Sequence, residues 1–405
     1  MARRAPLEGI RVADFTWVWA GPFCTLQLAH LGAEVIRVET STRICVTRML
    51  PPFADFQMGP NRSGYFNQYN QGKRSVALDL KRPEAIEVAK RLCANSDLVV
   101  ENFAAGVMDR MGLGYDVLRG LRPDVIMIAL SGYGATGPDH DKVSYGPAQV
   151  PLSGMSSVTG YAGFPPMHVG ISYGDPTGGL HGAVAVLAAL LHRARTGQGQ
   201  YIDLAQGEAS LHFLAPAILD YGVNGRIAGR IGNRDRDHAP HGVYPAAGDD
   251  RWIAIAVTSD VEWQALARAM ARPDLAADAR FRDAAGRLAH ADELDGIVAA
   301  WTAPEDAHVL EMRLQAAQVP AHVVQTSRDL RHDPQLHHRG HFVTVAHPMG
   351  GATVVEGSRF RLSRTPAAVA STAPSYGQHN DAVLRDVLGY DDDAITALVA
   401  SGALE

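Results

Sequence analysis

Between Ile10 and Leu130 short apolar strands alternate with helical patterns, and this alternation restricts the fold more than any other feature of the 405 residues. Ile10–Phe15 reads as a strand, Phe23–Leu31 as a helix ended by Gly32, and Glu34–Glu39 as a second strand. A strand–helix–strand unit implies parallel strands joined by a crossover. The pattern recurs in the strand Ser75–Leu80, a helix from Pro83 to Ala94, the strand Leu98–Asn102, a helix at Tyr115–Leu121 and the strand Val125–Leu130. The fold class that follows is α/β, a Rossmann-like parallel sheet covered on both faces. The phosphate fingerprint GxGxxG is missing after the first strand, and nothing matches a P-loop.

Further along, a helix is expected over 178–195, a strand at Tyr201–Leu204 and a helix over Gly207–Tyr221. The stretch 224–241 is rich in Arg, Asp, Gly and His and reads as a linker. A new unit starts with the strand Trp252–Val257, continues with helical patterns to Ala317, and ends with the strand Ala321–Gln325. Phe342–Val345 and Thr353–Leu362 suggest a hairpin around Gly350 and Gly351, and a helix pair closes the chain from Asp381. The length exceeds what one core usually supports. The expected division is a large domain over 1–224, a smaller α/β domain over 225–325, and a return to the large domain over 326–405.

Composition excludes several functions. The net charge of −6 comes without a long basic run, which argues against a nucleic-acid partner. The most apolar run, Val184–Leu191, is too short to span a bilayer, and the N-terminus leads into a strand rather than a signal segment. Cys24, Cys45 and Cys93 have no paired spacing, which suits a reducing cytoplasm. His332, His337, His338 and His341 lack the spacing of a metal site, and no G-x-S-x-G elbow occurs.

One carboxylate sits where packing needs none. Asp175 precedes Pro176 at the start of an apolar helix, the position of a capping Asp. Thr177, Gly178, Gly179 and Gly182 keep the space around it open. In open α/β sheets ligands bind beyond the carboxyl ends of the strands. Those ends here are Thr16–Gly21, Glu101–Phe103 and Ser131–Pro138, with Lys73 and Arg74 before another strand. Together they describe a groove of backbone N–H groups and cations suited to a phosphorylated ligand.

These residues resemble the class III CoA-transferases, the family of formyl-CoA:oxalate CoA-transferase, carnitine CoA-transferase and the 2-methylacyl-CoA racemases. The resemblance rests on the order and spacing of segments along nearly the whole chain. They are Asp14–Pro22, Leu31–Glu39, Gly72–Leu80, Val100–Phe103, Asp109–Gly112, Gly132–Pro138, Gly174-Asp175, Thr196–Gln200, Gly377–Asn380 and Leu388–Tyr390. It implies a large Rossmann-like domain, a small central domain and two chains interlocked as a homodimer. It further implies that Val18, Trp19 and Ala20 line the CoA site, that Lys73, Asn102, Phe103 and Arg110 hold adenosine and phosphates, and that Lys142 lies near the pantetheine arm. Asp175 falls on the catalytic aspartate. The chain departs from the oxalate-type enzymes at Trp19, where they often carry Gln, and at Thr40, where they carry Arg; Arg43 is a substitute for the latter. The glycine run of their small domain is replaced by Gly232–His241.

The implied activity is CoA transfer through an aspartyl mixed anhydride and an aspartyl-CoA thioester, with no permanently bound cofactor and CoA thioesters as substrates. Trp17 and Trp19 are expected to help exclude water, and Trp17 and Tyr145 are substrate-side candidates. The expected donor is succinyl-CoA and the acceptor a small dicarboxylic acid such as malate, citramalate, mesaconate or itaconate. Arg234, Arg236, His238 and His241 are candidates to meet a distal carboxylate. Alternatives are a CoA shift within one dicarboxylate, a non-catalytic CoA-binding protein, and a racemase. A racemase needs a His near Ser144-Tyr145, and Tyr145 is a poor base at neutral pH.

Overall fold

Six parallel strands form the expected sheet. In the computed structural model, which describes residues 5–405, they are β1 (Arg11–Asp14), β2 (Glu34–Glu39), β3 (Arg74–Ala77), β4 (Leu98–Glu101), β5 (Ile126–Ser131) and β6 (Tyr201–Ala205). Their spatial order is β3-β2-β1-β4-β5-β6, and every neighbouring pair is parallel. Strand order reverses between β1 and β4, so the loops after those two strands part and leave a crevice.

Alternate residues of each strand serve opposite faces. Val12, Leu98, Val100, Ile126 and Ile128 pack on one side, while Ala13, Val99 and Met127 pack on the other. The second face is covered by α3 (Pro83–Ala94) through Val88, Ala89 and Leu92, and by Val383, Leu384 and Leu398 from the chain's end. The first face carries α1 (Ala20–His30) and α8 (Gly174–Thr196). All residues of α1 are buried, and α8 packs both against α1 and directly on β5 and β6. Close packing of the two helices depends on Gly179. A β-carbon there would stand 2.6 Å from the Ala20 carbonyl oxygen, a backbone atom with nowhere to go.

Between these elements lie α2 (Gly64–Tyr69), α4 (Val107–Arg110), α5 (Tyr115–Leu121), α6 (Gly146–Leu152) and α7 (Met155–Val158). The helix expected over 207–221 is broken into α9 (Gln206–Leu211), a 3-10 turn at His212–Leu214 and α10 (Ala215–Asn224). Pro216 supplies no N–H for a continuous helix, and it sits in the first turn of α10. The hairpin pairs Phe342–His347 with Gly351–Glu356, and its second strand ends earlier than the apolar pattern suggests.

The chain divides into two compact units. One runs through Ser156 and includes His168–Ile227 and Pro334–Glu405; the other is Ser157–Met167 with Ala228–Asp333. The second unit has a three-stranded antiparallel sheet of His241–Pro245, Trp252–Ala256 and Ala321–Val323. Its own core is built around Trp263, Phe281, Leu294 and Leu310.

Candidate active site

The loops at the reversal of strand order enclose a cavity of about 550 Å³. Phe15, Trp17 and Val18 come from the loop after β1, and Asn102, Phe103 and Ala104 from the loop after β4. The β1 loop is clamped from across the crevice. Asn102 Oδ1 accepts from the Trp17 N–H at 2.7 Å, and its Nδ2 donates to the Trp17 carbonyl at 2.9 Å. Val18 has φ of 62°, costly for a β-branched residue, and its N–H donates to Cys45 Sγ at 3.4 Å. The strained turn directs the start of α1 toward Asp175.

Asp175 lines the cavity and is 8% exposed. It is the second residue of α8, whose N-cap is Tyr173, so the capping role expected of it is corrected. Its carboxylate turns across to the N-terminus of α1, where it interacts with the Ala20 backbone N–H. Burial pushes its pKa up to about 7, and the Ala20 N–H opposes that rise. Two helix N-termini thus meet at this group, and both favour its anion. Gly146, the first residue of α6, makes the room: a β-carbon there would fall 1.9 Å from Asp175 Oδ2.

The cavity extends from Asp175 to the ends of β2 and β3, with Thr40, Thr42, Arg43, Asp79, Leu80 and Lys81 around it. The Arg43 guanidinium lies 5.1 Å from the Trp17 ring centroid, and Trp17 meets Phe103 edge-on at 6.2 Å. Neither Arg43 nor Lys81 makes an ion pair among the described residues. Glu39 also lines the cavity, but Arg48 binds it at 2.6 Å and neutralises it. The chemistry available is a long site with two unpaired cations, an apolar middle and one buried carboxylate that no cation pairs, Asp175.

Of the expected residues, Asp175, Val18, Asn102, Phe103, Lys142, Trp17 and Tyr145 line this cavity. Lys142 is held by an ion pair to Asp139. Lys73 does not line it. Its Nζ is sealed in the interior, bonded to Asp14 Oδ2 at 3.1 Å, Thr25 Oγ1 at 2.8 Å and Asn70 Oδ1 at 3.0 Å. Burial draws that ammonium down to about 8, while Asp14 holds it charged. The β3 strand turns Lys73 inward, so the expected phosphate contact is corrected to a structural ion pair. Trp19 also lies outside the lining, packed on Tyr65 at 5.9 Å and Tyr69 at 5.2 Å. Ala20 contributes its backbone N–H, and Arg110 is exposed on α4 beside the lining residue Met111.

Arg234 and His241 belong to the second unit. Asp292 and Asp295 hold the Arg234 guanidinium, the latter at 2.7 Å, and the Asn233 carbonyl lies 2.8 Å from His241 Nδ1. The expectation that Arg234 offers a free charge to a substrate is therefore corrected. Lys81 and Gln206 were missed as site residues. Both follow strand ends, the signal that finds the rest of the site.

An α/β fold with a buried, unpaired carboxylate in the crevice at its reversal of strand order is the class these features define. The chain belongs to CoA-transferase family III, whose sequence model matches residues 7–380. Among individual relatives, it is 36% identical over 402 residues to succinyl-CoA–D-citramalate CoA-transferase of Chloroflexus aurantiacus, covering 98% of this chain and 97% of that protein. It is 35% identical to the beta subunit of succinyl-CoA–L-malate CoA-transferase of the same organism, covering 97% and 96%. A crystal structure of a CAIB/BAIF family protein from Brucella suis matches with a TM-score of 0.87 and 29% identity, over 95% of this chain and 99% of that one.

Proposed function

We propose that this enzyme moves CoA from succinyl-CoA to a small dicarboxylic acid, with Asp175 as the nucleophile. The observation that carries this reading is the buried Asp175 carboxylate at the cavity wall, between two helix N-termini and given room by Gly146. The relatives that use succinyl-CoA with citramalate or malate support the donor and the acceptor class.

Asp175 attacks the thioester carbonyl of the donor, the C–S bond breaks, and CoA thiolate leaves an acyl–aspartyl anhydride. The thiolate then attacks the aspartyl carbonyl and releases the donor carboxylate, leaving an aspartyl-CoA thioester. The acceptor carboxylate attacks that thioester and expels thiolate, and thiolate attack on the acceptor carbonyl frees acceptor-CoA and regenerates Asp175. No net proton transfer occurs, so the site needs no base. No histidine lines the cavity among the described residues, and Ser144 and Tyr145 occupy the place where a racemase base is expected. Arg43 and Lys81 are positioned to meet the CoA phosphates. Trp17 and Phe103 cover the apolar middle and limit water's access to the anhydride.

Incubation with succinyl-CoA followed by hydroxylamine or borohydride trapping is expected to modify the peptide containing Asp175, read by mass spectrometry. An unmodified Asp175 peptide under turnover conditions overturns the covalent route.

The functional unit in this reading is a homodimer. Leu180, Val184 and Leu191 on α8, and Ile218, Leu219 and Val223 on α10, are large, apolar and exposed, and α10 buries none of its residues. Sedimentation at micromolar concentration is expected to give twice the chain mass of 43.4 kDa. A monomer retaining full activity contradicts it.

A further inference from the structure

Gln206 opens α9 directly after β6 and is 4% exposed. Its Nε2 donates to the Leu130 carbonyl at 2.8 Å. A carbonyl only accepts, so the amide has one orientation, with Oε1 turned away from Leu130. That oxygen is buried and has no hydrogen-bond partner among the described residues. Gln206 and Asp175 line the same cavity. The Gln206 Cγ lies 2.7 Å from where Gly178 would carry a β-carbon, and Gly178 is three residues beyond Asp175 on the same face of α8. A buried acceptor without a donor, on a residue that lines the same cavity as Asp175, is uncommon in folded proteins.

We propose that Gln206 Oε1 accepts a hydrogen bond from a hydroxyl group of the acceptor acid, and that the enzyme thereby selects hydroxydicarboxylates over their deoxy counterparts. The proposal rests on CoA transfer through Asp175. An acid without the hydroxyl leaves the buried oxygen unpaired in the complex, and sites built to bond a substrate hydroxyl reject analogues that lack it. An amide N–H of the pantetheine arm has the same donor chemistry, so the test separates the two sources.

Citramalate and 2-methylsuccinate differ by the hydroxyl alone. With succinyl-CoA as donor, wild-type kcat/KM is expected to favour citramalate by about 100-fold or more. In Gln206→Met that ratio falls to near one, through loss of citramalate activity, while KM for succinyl-CoA is unchanged. A wild-type ratio near one overturns the proposal and needs no variant to measure. Equal loss with both acceptors, together with a raised KM for succinyl-CoA, also overturns it and assigns the oxygen to the pantetheine amide. Trapping of wild-type protein with succinyl-CoA alone keeps the readings apart. An Asp175 adduct without hydroxyl preference sinks only this proposal, whereas absence of the adduct sinks the reading beneath it.

Discussion

Asp175→Asn lowers CoA transfer by roughly 10⁴-fold or more and yields a protein more stable at pH 8 than the wild type. The first effect follows from removing the proposed nucleophile. The second follows from burial, which pushes the Asp175 carboxyl up to about 7 from an ordinary value of 3.8. A group whose pKa is raised on folding contributes its full stability below the unfolded value, near pH 4, and loses it as pH rises through 7. Above pH 7 the folded chain holds an ionised, desolvated carboxylate that the unfolded chain hydrates freely. The shift of about three units corresponds to an upper bound of about 4 kcal/mol. The neutral amide has nearly the same shape and avoids that cost. Thermal or denaturant unfolding at pH 8 is expected to show the variant ahead by about 2–4 kcal/mol, with the gap closing by pH 4. In the wild type, kcat/KM rises about tenfold per pH unit below pH 7 and levels above it. A variant no more stable than wild type at pH 8, or an acid limb centred near pH 4, contradicts the buried anion.

Lys73→Met destabilises the first unit by about 3–5 kcal/mol, the ordinary cost of leaving a buried ion unpaired. Lys73 and Asp14 are both fully buried, and the ammonium has four oxygen partners: Asp14, Thr25, Asn70 and the Pro22 carbonyl. Burial alone would raise the Asp14 carboxyl, but Lys73 and Arg37 hold it below the ordinary carboxylate range. Without the ammonium, Thr16 and Thr25 are the remaining side-chain donors to Asp14. Asp14→Asn combined with Lys73→Met is expected to recover part of the loss, because it removes the orphaned charge. KM for succinyl-CoA in the folded fraction stays at the wild-type value. A stable variant with KM raised tenfold returns Lys73 to the ligand.

The sheet was legible because hydrophobic periodicity is local. Strands such as Glu34–Glu39 and Leu98–Glu101 are short apolar runs between helix signals, and their parallel pairing follows from the crossovers. The place of Asp175, Asn102 and Phe103 on the cavity wall was legible as well, since each follows a strand or opens a helix at the end of the sheet where ligands bind. Lys73 was misplaced for a related reason. A Lys before a strand looks like a cation at the sheet's edge, but whether it points inward depends on Asp14, which lies 59 residues earlier. Arg234 was misplaced because its partners Asp292 and Asp295 lie about 60 residues away.

The order of residues was enough to establish the parallel α/β sheet, the crevice end of that sheet and the carboxylate at the start of α8. These depend on spacings within one element or between neighbours. Packing alone settled which charges are spent inside the protein and which face the cavity. Lys73 closes an internal ion pair, Arg43 stays open to the cavity, and the room around Asp175 comes from Gly146, 29 residues before it. A side chain's charge is written in its own letter, but its partner, its burial and hence its pKa come from segments that meet only when the chain has folded.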